Sequence, residues 1–70
     1  MAGSVYKVIS IIGTSPKSWE DAAATAVDVA AKSLRDLRVA EVDELDMQID
    51  EGKVVLYRAK LRVSFKYDGG

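Results

Sequence analysis

From Val54 to Tyr67 the side chains alternate almost without a fault. Val55, Tyr57, Ala59, Leu61, Val63, Phe65 and Tyr67 share one parity; Arg58, Lys60, Arg62, Ser64 and Lys66 share the other. This pattern predicts a strand with one apolar and one basic face, spanning roughly 45 Å at about 3.3 Å per residue. A compact globule of this length has a radius of gyration near 11 Å and is only about 30 Å across. The one helix in the pattern would be roughly 26 Å long, too short to shield the whole apolar face. The chain is therefore expected to be an obligate oligomer, with other copies covering the remainder.

The same reading places the other elements. Val5 to Ile12 is apolar on both parities except at Lys7 and Ser10, so it predicts a strand covered on both faces. Gly13-Thr14-Ser15-Pro16 is expected to break it. Ser18-Trp19-Glu20-Asp21 resembles a capping box, and a helix is expected from about Trp19 to Asp36. Its apolar stripe is Trp19, Ala23, Ala26, Ala30, Leu34 and Leu37; Asp21, Thr25, Asp28, Lys32 and Arg35 mark the wet face. A second strand is expected from about Arg38 to Asp50. Ala40 and Val42 share one parity and Leu45, Met47 and Ile49 the other, so a bulge or bend is expected at Asp43-Glu44. Asp50-Glu51-Gly52-Lys53 is a hairpin turn, with Gly52 suited to positive φ. The expected fold is α+β: a β-α-β-β subunit whose three-stranded antiparallel sheet, in order 1-3-2, partly wraps one helix. Residues 1–70 are expected to form a single domain.

Composition narrows the chemistry. With no cysteine and no histidine, the chain has neither a disulfide staple nor the usual transition-metal ligands. Ten basic residues against eleven acidic ones leave a formal charge of −1, so no global field draws in nucleic acid or an anionic membrane. The start, Met1-Ala-Gly-Ser, does not read as a secretion signal and no apolar run reaches bilayer length. A cytoplasmic protein without nucleic-acid or membrane partners is the expectation.

Four local features bear on the chemistry. Gly13 to Ser18 joins a strand to a helix but lacks the second glycine and the Gly-Lys-Ser/Thr ending of a phosphate loop; a turn and a helix cap account for it. The basic row Arg58, Lys60, Arg62 and Lys66 lies opposite Glu41, Asp43, Glu44, Asp46 and Asp50, so cross-strand ion pairs are expected. Glu44 and Asp46 point to one side of a strand, and copies from several subunits near a symmetry axis could give the oxygen shell that magnesium or calcium prefers, but solvated charge at a bulge is the favoured reading. Trp19, the only tryptophan, reads as a core or interface anchor. No nucleophile or base supports catalysis, so an enzyme is not expected.

Taken together, these residues resemble a known family. Val5-Tyr6-Lys7-Val8-Ile9 and Gly13-Thr14-Ser15 before Ser18-Trp19-Glu20 look like the first strand and helix start of dodecins. Leu37-Arg38-Val39-Ala40-Glu41-Val42 is similar to their second strand, and Val63-Ser64-Phe65-Lys66 to their last. The resemblance implies a hollow homododecamer of cubic symmetry, its helix against a concave sheet, with flavins (FMN or riboflavin) bound between subunits near the threefold axes. Its implied role is non-enzymatic flavin binding, storage or sequestration. The pocket-lining positions it assigns are Val39, Glu41, Glu44 and Arg58. Two of them depart from the family pattern: Val39 stands where flavin-binding dodecins have a stacking tryptophan, and Arg58 where they tend to carry a glutamine. The departures favour an alternative, a structural or divalent-cation-binding shell without flavin, with Glu44 and Asp46 as its metal candidates.

Overall fold

The structure, a computed structural model, describes residues 3–67. Strand β1 (Tyr6–Ser15) leads into helix α1 (Trp19–Ser33), followed by the long strands β2 (Leu37–Asp50) and β3 (Lys53–Lys66). β3 is central and antiparallel to both neighbours, giving the sheet order β1-β3-β2 expected from the sequence. Among the described residues no helix is long and apolar enough to cross a membrane.

The helix starts as its cap chemistry dictates. Ser18 has extended backbone and its Oγ accepts the Asp21 amide at 3.0 Å. The box is not closed reciprocally, because the Asp21 carboxylate accepts instead from the Ser15 hydroxyl at 2.6 Å. The helix also stops three residues short of Asp36. Leu34 donates the last helical bond, to Ala30, and is itself extended. The chain must reverse there to enter β2, and Asp36 makes the turn with φ 58°, a conformation aspartate tolerates better than most side chains.

Gly13 does not break β1; the strand runs on to Ser15. The glycine serves packing instead. A side-chain carbon at Gly13 would collide with the Ala22 carbonyl oxygen and stand 2.8 Å from Ala26 Cβ. Ala22, Ala26 and Ala30 recur every four residues and form the buried stripe of α1, so Ala22 rather than Ala23 is the innermost residue of the first turn. Against this smooth surface lie Ala59, Leu61 and Val63 of β3, completing a small core flanked by Ile9, Ile11, Val27 and Leu37.

That core covers only part of the sheet. α1 lies over β1 and β3 and barely touches β2. Every residue of β2 after Leu37 is exposed, including Val42, Leu45, Met47 and Ile49. The other face of β1 is open as well, at Tyr6, Val8 and Ile12, so within one chain this strand is covered on one face and not on two. The molecule extends 56 × 20 × 15 Å with a radius of gyration of 14.6 Å, against about 11 Å for a compact chain of this length. Its accessible surface is 5282 Å², about 1,000 Å² more than size scaling gives for a compact monomer.

Candidate functional site

The face of the sheet opposite α1 carries the charges. β2 and β3 pair so that Glu41 faces Arg62, Glu44 faces Lys60 and Asp46 faces Arg58. Register shifts between Val42 and Glu44 and between Gln48 and Ile49 re-aim the strand, the first at the expected bulge. Without it, strict alternation would set Glu41 and Glu44 on opposite faces; the extra residue, Asp43, brings both to the basic side.

The resulting ladder is uneven. Arg58 binds Asp46 through two nitrogens, Nε to Oδ1 at 2.7 Å and Nη2 to Oδ2 at 3.1 Å. Arg62 reaches two carboxylates, Glu41 at 3.2 Å and Asp43 at 2.8 Å. Lys60 meets Glu44 at only 3.9 Å, and the Glu44 side chain is 71% exposed. Hydrogen bonding from Arg58, aided by its charge and partly opposed by desolvation, holds the Asp46 carboxyl below the usual carboxylate value, and the same contact raises Arg58. Arg62 is raised by its hydrogen bond to Asp43 and by the charges of Asp43 and Glu41. Arg58, Lys60 and Arg62 are thus each engaged by β2 carboxylates and do not offer a free anion site. The expected cross-strand ion pairs are present.

Of the four pocket-lining positions, Val39, Glu41, Glu44 and Arg58, the structure brings only the last three onto one ladder. Val39 is opposite Ser64, whose Oγ contacts the Val39 carbonyl at 3.4 Å, and is 61% exposed. Arg58 is six residues from Ser64 along β3, roughly 20 Å at strand spacing. A pocket that used both Val39 and Arg58 would have to be closed by a second copy. Glu44 and Asp46 do share a face, but Asp46 is committed to Arg58. Among the described residues no three acidic side chains converge as a metal cage.

On the helix side, Trp19 is held by two contacts. Its Nε1 donates to the Asp46 carbonyl at 2.9 Å, and Tyr57 meets the indole edge-on at 5.2 Å between centroids. Thus the residue that presents a carboxylate to Arg58 on one face of the sheet receives Trp19 through its backbone. The Gly13–Ser18 segment holds no anion cradle: the Lys17 amide donates to Ser15 Oγ at 2.9 Å, and Asp21 fills the helix start with negative charge. Sequence reading missed the Trp19–Asp46 bond and the Ser15–Asp21 bond, since neither follows from spacing along one element.

Comparison with known proteins agrees with this geometry. The Dodecin family model matches residues 5–68. The chain is 62% identical over 63 residues to a protein named calcium dodecin from Mycobacterium tuberculosis, covering 90% of this chain and 89% of that one. The solved structure of dodecin from Streptomyces coelicolor superimposes with a TM-score of 0.92 at 31% identity, covering all of both chains. A Thermus thermophilus dodecin is 38% identical over 94% of this chain and 96% of its own. The order β1-α1-β2-β3, the sheet order and these matches lead to one conclusion: the chain belongs to the dodecin family.

Proposed function

We propose that this chain assembles into a closed, non-enzymatic homododecameric shell whose ligand is a divalent cation such as calcium, held by carboxylates of neighbouring copies. The observation that supports this most is the imbalance of the outer ladder. Four carboxylates on one strand face three cations, and Glu44 is the least engaged. Carboxylate oxygens are the hard donors that calcium takes in sets of six to eight. One chain supplies too few at one point, so the shell must be completed across copies, in keeping with the uncovered apolar surface of the monomer. The name of the Mycobacterium tuberculosis relative, calcium dodecin, points the same way.

Flavin storage, the role the family resemblance suggests first, finds less support in these residues. Val39 offers an aliphatic contact and no π-face. Arg58 has two of its donors spent on Asp46.

Native mass spectrometry of untreated protein, followed by calcium and flavin titrations, tests the reading. The expected result is a twelvefold subunit mass that takes up calcium. Glu44→Gln should weaken calcium binding about tenfold or more without dispersing the oligomer. A wild type that binds FMN or riboflavin tighter than about 1 μM while ignoring calcium would overturn the cation reading.

A further inference from the structure

We propose that Trp19 and Arg58 clamp Asp46 from opposite faces of the sheet, so that Trp19 regulates cation uptake by holding one carboxylate back from the ion. The regulation rests on the cation reading for its ligand; the clamp rests on geometry alone. Consecutive strand residues point to opposite faces, and Asp46 and Met47 pair with Arg58 and Tyr57. On the outer face Arg58 takes both Asp46 carboxylate oxygens, at 2.7 and 3.1 Å. On the helix face Trp19 Nε1 donates to the carbonyl of the same Asp46 at 2.9 Å, with Tyr57 edge-on to the indole. Asp46 is thus fixed through side chain and backbone at once.

The placement of these contacts links the helix to the charge ladder. α1 otherwise barely touches β2, so the Trp19–Asp46 bond is its main tie to that strand. Two residues on, the Asp21 carboxylate accepts from Ser15 at the end of β1. The start of α1 is therefore tied to both edge strands, with β3 between them. The β2 end of this tie has room to move. Glu44 to Gln48 pairs in regular register but is bounded by a register shift on each side. The side chains of Arg58 and Asp46 are 43% and 53% exposed, and an ion pair that wet is weak enough for a ligand to exchange.

Glu44, two residues away on the same face, is nearly free. Calcium takes six to eight oxygens, so an ion on Glu44 draws on the next carboxylate along, that of Asp46. To reach the ion this carboxylate leaves Arg58, and the segment carrying it shifts against Trp19. The ion-free and ion-bound positions of Asp46 then differ in the bond to Trp19, which is the differential contact that coupling requires. Reciprocity fixes the sign: an ion that weakens the Trp19 bond is itself bound less tightly while that bond is intact.

Trp19 is the only tryptophan, so its emission reads the clamp directly. Emission, and calcium uptake by native mass spectrometry, are measured on the assembled wild type, Arg58→Gln, Asp46→Asn and Arg62→Gln. Arg58→Gln and Asp46→Asn should each shift Trp19 emission without calcium, from the far face of the sheet. Arg62→Gln removes an equal charge from that face at the Glu41 and Asp43 contacts and should leave emission unchanged. In the wild type, calcium should shift emission with the midpoint of its uptake. Trp19→Phe, followed by mass alone, should take up calcium about threefold more tightly or better. Unchanged emission in both Asp46 and Arg58 variants would overturn the clamp. Calcium taken up with no change in wild-type emission would overturn the regulation and leave the cation reading standing; this titration also decides the point if Trp19→Phe does not assemble. Emission shifts in the two variants with no calcium uptake by any protein would sink the cation reading, and the regulation with it, while the clamp stands.

Discussion

Arg58 takes both carboxylate oxygens of Asp46 across the β2–β3 pair, at 2.7 and 3.1 Å. The contact fixes which end of the acidic strand is available to a ligand. It also makes the strand pair sensitive to acid. Because the Asp46 carboxyl is held below its ordinary value, its contribution to stability is complete above the unfolded carboxylate value and is lost as pH falls through the lower folded one. Arg58 remains charged throughout. The melting-temperature difference between wild type and Asp46→Asn should be present at neutral pH and close below about pH 4. A gap of the same size in acid would mean the pair adds nothing that depends on pH.

Position 39 offers a gain-of-function test of the altered family pocket. Val39 is exposed and free to be replaced without opening the core. An aromatic stacking pair adds roughly 0.5–1.5 kcal/mol beyond the area it buries, and tryptophan adds flat area as well. Val39→Trp should raise flavin affinity about tenfold or more, read by quenching of flavin fluorescence. No gain in an intact oligomer would place Val39 outside any flavin pocket, and the family likeness would then extend to architecture alone.

Gly13 should tolerate no side chain. Its missing Cβ is what lets α1 approach β1 at Ala22 and Ala26, and both neighbours belong to the rigid helix. Gly13→Ala should cost about 1–3 kcal/mol as an overpacked core and lower the thermal midpoint. An unchanged midpoint would show that the helix can shift outward freely.

The hairpin turn predicts opposite effects at adjacent residues. Glu51 has φ 51° and Gly52 φ 76°, the two positive angles of a type I′ turn. Glu51→Asn supplies the residue this position prefers and should raise the melting temperature. Gly52→Val forces a β-branched side chain into the left-handed region, at about 1–2 kcal/mol, and should lower it. Equal melts for both variants would mean the turn relaxes to another geometry in solution.

The alternation from Val54 to Tyr67, the parity switch at Asp43-Glu44, the Ser18 cap and the Asp50–Lys53 turn were all legible because each is a local rule. A period of two, a cap hydroxyl or a turn glycine needs only neighbours in the chain. These sufficed for the element order and the sheet order, since a tight hairpin makes β2 and β3 adjacent and leaves β1 the other edge of β3. The family resemblance was likewise carried by short segments in order. Misreadings came where distant elements meet. Gly13 looked like a strand breaker because its role depends on Ala22 and Ala26, which only the folded helix brings over it. Asp21 looked like half of a capping box until Ser15, six residues earlier, supplied a better donor.

For the candidate site, charge pattern alone foretold ion pairs between β2 and β3, but not their inequality. Whether a carboxylate is gripped, as Asp46 is, or nearly free, as Glu44 is, depends on side-chain reach across a bulge. The roughly 20 Å between Val39 and Arg58 is likewise a product of register. Composition and periodicity determined that this chain folds as one helix on a sheet too long for it. Tertiary structure decided which apolar surfaces stay open and which charges stay unsatisfied, because burial and pairing are properties of surfaces that sequence neighbours do not share.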